Sequence, residues 1–466
     1  MPRVQSLREG LQEKGPRADA VRKAGRNILI ENQEHHQSLD SDKVNLPARG
    51  VRHLRKDYSV TSGCSRIIFF VALLCPLLVS PAVSNIRAGE QHIVVNIAGA
   101  EVNHSVFEQI RQITLGGTCD HIGLGIGAIF SYLNQSREQS KARLNEFLSL
   151  AQHHDIPIVI QLDGEQWWGN RPDLWNWWDP ARPGYDPKNR KNVEWSGWGA
   201  EHAIKIAWRN WGRQIRVLPP PNFMSPRYRR ACHDEMRILV PLILKWWRQL
   251  PEDKKHLLIG IKLGWESAIG VNSFYYPNGN AILNRLSEND PKTGLKADQI
   301  PDRGVTAIGY AAVTTAGLAR SGRLEEAHLA EIVRRHLDDL CALAAELGVP
   351  REKLFTHVAG WKDEELLYNA ALNEYSCPGW SFYKYASDPA KDKGVQRALR
   401  KSDAPYWAAV EWLLRGKDSK AWSNAIERTL SDPKCRYLCI YNWRGIKDNQ
   451  AAIEAIQEVL AVHKVD

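Results

Sequence analysis

From about residue 90 onward, eight short apolar runs recur along the chain, each separated from the next by a segment of helical period or a longer polar excursion. They are HIVVNIAG (92–99), DHIGLGIG (120–127), PIVIQLDG (157–164), LLIGIKLG (257–264), LFTHVAG (354–360), GWSFYKY (379–385), PYWAAVEW (405–412) and YLCIYNW (437–443). Apolar runs of this length alternating with helical segments are the pattern of βα units and a parallel sheet. The segment 140–155 carries Leu144, Phe147, Leu148 and Ala151 on one helical face. Residues 227–250 place Met236, Leu239, Leu242, Ile243 and Trp246 on another. The segment 325–347 repeats Leu329, Ile332, Val333, Leu337, Leu340, Ala344 and Leu347 at three-and-four spacing and ends at Gly348 with Pro350 beyond. A last helix is expected over 449–463. Eight strands, each followed by a helix or an excursion, predict a (β/α)8 TIM barrel rather than a doubly wound sheet. No G-x-G-x-x-G turn suited to a dinucleotide and no G-x-x-x-x-G-K-[ST] loop is present, so no cofactor is expected.

The polypeptide ahead of the runs has a different character. Residues 1–66 are polar, with 13 Lys/Arg against 8 Asp/Glu, and are expected to be a disordered or mis-started extension; they skew the formal charge of +9. Residues 67–84 resemble a secretory signal: IIFFVALLCPLLV is too short to span a bilayer, follows Arg66, and precedes Ala82 and Ser84 at a cleavage-like SPAVSN. A translation start near Val60, cleavage after Ser84, a barrel over 85–466 and a secreted or periplasmic product without stable membrane insertion are the corresponding expectations. Six cysteines (Cys119, Cys232, Cys341, Cys377, Cys435 and Cys439) follow without C-x-x-C pairs, which argues against zinc and leaves any disulfide pairing open. With no clustered Lys/Arg stripe, nucleic acid is not an expected partner.

Glu266 lies just past the end of the fourth run and Glu411 near the end of the seventh. In a TIM barrel the C-terminal ends of all strands open on one face, so these carboxylates are expected to meet there. Two opposed carboxyl groups are what glycoside hydrolysis needs: one protonates the departing oxygen, and the other attacks the anomeric carbon or activates water. Ion pairing of Glu411 with Lys262 or Arg444 is the structural alternative. On this strand order and these two glutamates, the chain from about residue 90 resembles the retaining glycoside hydrolases of clan A, the (β/α)8 group that includes family 5 and family 42 enzymes. The resemblance implies Glu266 as acid/base and Glu411 as nucleophile. It further implies Tyr383 as the tyrosine that hydrogen-bonds the nucleophile, His357 as a cleft histidine and Trp443 as a floor for the sugar. One position departs from the clan: Trp265 stands where many members have an asparagine that contacts the sugar 2-hydroxyl.

The third run ends in QLDGEQWWGN, where Asp163 and Glu165 are candidate binders of sugar hydroxyls or partners of Arg171 or Lys205; the D-x-x-D-x-D-x-E run of single-strand hydrolases is absent. Two connections, 165–226 and 267–323, are too long for simple loops and are expected to wall a cleft. The first holds Trp167, Trp168, Trp175, Trp177, Trp178, Trp195, Trp198, Trp208 and Trp211. Indole faces stack on pyranose rings, and Trp167, Trp168, Trp198 and Trp265 are the candidates for substrate contact, the majority of the others packing together to hold the loop. The second adds Tyr275, Tyr276, Asn278 and Asn280. The leading expectation is a secreted, metal-independent retaining β-glycosidase acting on a carbohydrate substrate. A catalytically inert carbohydrate-binding barrel is the alternative, and a metal site of Asp163, Glu165 and His357 is a third.

Overall fold

The computed structural model describes residues 91–114, 122–205, 207–210, 214–269, 271–273, 305–359, 366–416 and 418–462. The expected extension over 1–66, the signal-like segment 67–84, Cys119, Trp211, and Tyr275, Tyr276, Asn278 and Asn280 of the second excursion lie outside them.

Eight strands close a parallel barrel in sequence order: β1 (Gln91–Ile97), β2 (Ile122–Ser131), β3 (Ile158–Asp163), β4 (Leu258–Ser267), β5 (Leu354–Val358), β6 (Gly379–Phe382), β7 (Trp407–Trp412) and β8 (Cys435–Ile440), with β8 pairing back to β1. Both faces of each strand are covered, one by the barrel interior and one by helices, which is why the runs read as continuously apolar rather than alternating. Val94, Val159, Ile259, Phe355, Val410, Tyr437 and Cys439, contributed by six strands, meet as the inner core. A larger outer cluster joins the opposite strand faces to the helices.

Among the described residues, seven helices of eight residues or more form that layer: α1 (His104–Arg111), α2 (Arg137–His154), α3 (Pro226–Gln249), α4 (Glu326–Glu346), α5 (Lys393–Lys401), α6 (Ser419–Leu430) and α7 (Gln450–Val462). Their starts follow from local chemistry. Ser136 and Gln139 make a capping box at α2, Ser225 accepts from the Tyr228 N–H with Pro226 in the first turn of α3, and Asp392 and Asp418 cap α5 and α6. Between β5 and β6 the described residues include a short 3-10 turn, Leu366–Ala371. The five described cysteines, Cys232, Cys341, Cys377, Cys435 and Cys439, are buried free thiols. Among the described residues no helix is long and apolar enough to cross a membrane.

The excursion after β3 is held by its own polar and aromatic side chains. Trp168, Trp175, Trp177 and Trp195 are buried. Their indole N–H groups donate to the carbonyls of Pro219, Trp168, Ile204 and Arg190, so the indoles satisfy backbone that no sheet or helix serves. The Asn176 amide donates to the carbonyls of Asp179, Arg182 and Pro183, and Asn192 to that of Leu174. Glu194, fully buried in the same excursion, accepts from the Trp195 and Ala311 amides, and burial pushes its carboxyl up to about 8.

Candidate active site

At the C-terminal ends of β4, β6 and β7, one phenol joins two carboxyl groups. Tyr383 Oη lies 2.7 Å from Glu266 Oε1 and 2.5 Å from Glu411 Oε1. The two Oε1 atoms are therefore no more than about 5 Å apart. A phenol carries one proton, so Tyr383 can donate to only one of them.

Strand irregularities deliver both side chains. On β7, Ala408 and Val410 face the inner core, while Trp407, Ala409 and Trp412 face the helices. Strict alternation from Val410 would turn Glu411 outward. The pairing with β6 instead jumps from Trp380 with Ala409 to Ser381 with Glu411, and the pairing with β8 slips between Ala409 and Trp412. This extra residue is a β-bulge that re-aims Glu411 into the barrel mouth. On β4, pairing with β5 passes from Leu263 with Thr356 to Ser267 with Val358, two residues more on β4 than on β5. Gly264 (φ +84°) and Glu266 (φ +48°) take left-handed backbone in this stretch. At Gly264 a Cβ would run into Ser267 Oγ, so glycine is required there. A non-glycine residue at positive φ costs roughly 1–3 kcal/mol and persists only where its surroundings impose it.

Glu165 supplies that constraint. Its oxygens accept from Ser267 Oγ at 2.7 and 2.9 Å, from the Trp265 amide at 3.5 Å, and lie 3.1 Å from His336 Nε2. His336 in turn stacks flat on Phe223, with ring centroids 4.1 Å apart. Glu165 is thus engaged with the residues on either side of Glu266 rather than with Arg171 or Lys205; Arg171 pairs with Asp173, and Lys205 lies over the Trp177 ring. Asp163 is fully buried, accepting from Ser131 Oγ and the amides of Glu165 and Gln166; burial pushes it up to about 6. Both acids hold the end of β3. Replacing Glu165 with alanine leaves Ser267 and His336 buried without their acceptor, and a loss of about 3 kcal/mol or more is expected in urea denaturation.

The charges around the pair oppose one another. Burial, and then repulsion from Glu266, push Glu411 up to about 8, against the lowering influence of Lys262, Tyr383 and the Trp265 side chain. Lys262 is buried inside the barrel, donates from Nζ to the Val410 carbonyl at 2.9 Å, and is held below its ordinary value by desolvation. His357, on β5, is fully buried; its Nε2 lies 2.9 Å from Ser381 Oγ and 3.8 Å from Glu411 Oε2, an oxygen that has no hydrogen-bond partner. Desolvation, then the Lys262 ammonium, hold His357 well below its usual value and keep it neutral. Arg444, the other candidate counter-ion, binds Glu101 instead.

The remaining expected residues separate. Trp265 is buried, and its side chain hydrogen-bonds Glu411 although its neighbour in sequence is Glu266. Trp168 packs edge-on against Tyr228 inside the excursion. Trp167 is half-buried, and Trp198, also half-buried, donates to the Gly322 carbonyl and meets Tyr310 edge-on. Trp443 begins a short helix after β8 and packs into the outer core. From the same run, Tyr441 is the residue near the carboxylates: burial first, then Glu411, push it up to about 12, with Glu266 adding to the rise. Its place directly after β8 is the sequence signal for it. Asp163, Glu165 and His357 do not form a common metal-ligand group among the described residues.

No family model matches the sequence, and no curated protein matches it. Several solved structures are distantly similar. The chain is 9% identical to a GH5-4 broad specificity endoglucanase from an uncultured bacterium, covering 78% of this chain and 84% of that one with a TM-score of 0.36. It is 11% identical to the β-galactosidase of the psychrophilic Marinomonas ef1, covering 80% of this chain and 59% of that one (TM-score 0.38). A tri-modular GH5 (subfamily 4) endo-β-1,4-glucanase from Bacillus licheniformis is 9% identical over 81% of this chain and 59% of its own, again at 0.38.

Proposed function

We propose that the protein is an exported retaining β-glycosidase that hydrolyses O-glycosidic bonds of oligo- or polysaccharides by double displacement. The observation that carries this reading is the Tyr383 bridge, which brings one oxygen of each of two buried carboxyl groups within about 5 Å of the other, a spacing that supports a retaining pair. Glu266 takes the acid role: its proton passes to the glycosidic oxygen as Glu411 attacks the anomeric carbon, and the leaving alcohol departs. Glu266, now ionised, removes a proton from water, which attacks the same carbon and releases the sugar and the Glu411 carboxylate. Tyr383, Trp265 and Lys262 stabilise negative charge on Glu411. The half-buried Trp167 and Trp198 are the proposed sugar-stacking surfaces.

A panel of aryl β-glycosides and polysaccharides tests the reading, with the anomer of the first-formed product followed by proton NMR. The β-anomer is expected first. An α-anomer formed first would exclude a glycosyl-enzyme intermediate. Oligosaccharide binding without turnover, unchanged in Glu411→Gln, would support the inert carbohydrate-binding barrel in its place.

A further inference from the structure

Outside the barrel, at the junction of α1 and α2, three histidines converge. His104 is the first residue of α1, and His153 and His154 are the last two of α2. Their ring centroids lie 5.1 Å (His104 to His153), 5.2 Å (His104 to His154) and 4.8 Å (His153 to His154) apart. One ring nitrogen from each can be chosen so that all three atoms fall within 4.8 Å of one another, and His104 Nδ1 approaches His154 Nε2 to 3.1 Å. We infer that His104, His153 and His154 form a binding site for one borderline transition-metal ion, of the Zn²⁺, Cu²⁺ or Ni²⁺ class, that ties α1 to α2.

Three features carry this inference. Imidazole nitrogens bind that class of ion, whereas Ca²⁺ and Mg²⁺ take oxygen ligands. With metal–nitrogen bonds of about 2.0–2.1 Å, ligand atoms around one tetrahedral ion lie roughly 3.3 Å apart, so the His104–His154 pair already stands at the required spacing. The exposed His104 and His153 side chains can close the remaining distance by small rotations.

The second feature is an outer partner. While His154 turns Nε2 toward His104, its Nδ1 faces Glu108 Oε2 at 3.7 Å, and Glu108 is itself fixed by a two-pronged bond to Arg111. A carboxylate behind the second nitrogen of a histidine is the recurrent arrangement that orients a metal-bound imidazole and selects its tautomer. The third feature is rigidity. The His154 ring lies 5.6 Å from Phe107, which packs on Phe147 in the core between the two helices. The half-buried ligand therefore stands on a packed base, and the two exposed ligands close over it. Three protein ligands leave a tetrahedral ion one open position for water.

The test is calorimetric titration of the untagged, chelator-treated full chain with ZnCl₂, with CaCl₂ as control. One Zn²⁺ per chain is expected, together with a rise in melting temperature and no response to Ca²⁺. His104→Ala and His153→Ala, both at exposed positions, are each expected to weaken binding at least tenfold without altering the metal-free melting temperature. Glu108→Gln is expected to keep one site per chain and weaken it by about 10- to 100-fold. Absence of stoichiometric Zn²⁺ binding, or binding that persists unchanged in the His104→Ala/His153→Ala double variant, would overturn the site. Unchanged affinity in Glu108→Gln would overturn the role given to that carboxylate.

Discussion

Glu411→Ala is expected to lower turnover of every substrate by about 10⁴-fold or more, because it removes the carboxylate proposed to form the covalent intermediate. Azide or formate should restore part of the activity. Either anion fits the space the carboxylate vacates, attacks the anomeric carbon from that side, and with azide yields the α-glycosyl product, inverted relative to substrate. The variant should remain folded, since it removes a buried carboxyl that burial already disfavours in its charged form. NMR of the azide product decides the matter: rescue without inversion, or activity within tenfold of wild type, would remove Glu411 from the nucleophile role.

Glu266→Ala is expected to slow hydrolysis of substrates with poor leaving groups by about 10²- to 10⁴-fold. Aryl glycosides whose phenols depart without protonation should lose far less in the first step. The pH dependence gives an independent readout. With the Glu411 carboxyl pushed up to about 8 by burial and by Glu266, the pair keeps one proton at neutral pH and loses it as pH rises through that value. Because the reaction needs one proton on the pair, wild-type kcat/KM should fall on the alkaline side near pH 8. In Glu266→Ala burial still raises Glu411, but the proton donor is gone, so with an activated substrate that departs without protonation this alkaline fall should disappear. An alkaline limb of unchanged midpoint in the variant would assign the titration to another group.

The eight strands were legible because each lies between an inner core and a helical layer, and coverage on both faces leaves a continuous apolar run in the sequence. Helix starts were legible for a similarly local reason: Ser225 with Pro226, and Ser136 with Gln139, satisfy amide groups within one turn. The placement of two glutamates near the ends of strands four and seven was legible as well. The tryptophan loop was less so. An indole that stacks on a sugar and one that donates to a loop carbonyl are the same residue type, and only packing separates Trp168, closed inside the excursion, from the half-buried Trp167 beside it. Asp163 and Glu165 likewise resemble ligand binders in sequence, yet their oxygens are taken by Ser131, Ser267 and nearby amides, partners from other strands or from the turn itself.

By itself the sequence determined the barrel, its strand order, and which two strands carry the carboxylates, because apolar periodicity and strand count are properties of the chain. It did not determine where those carboxylates point. Simple alternation after Val410 sends Glu411 toward the helices, and it is the bulge against β6 and β8 that turns it to Tyr383. Glu266 reaches the same phenol through left-handed backbone that Gly264 permits and the Glu165–Ser267 contact holds in place. A bulge and a positive φ are stabilised by partners distant in sequence, so the meeting of the two glutamates is a property of the tertiary structure alone.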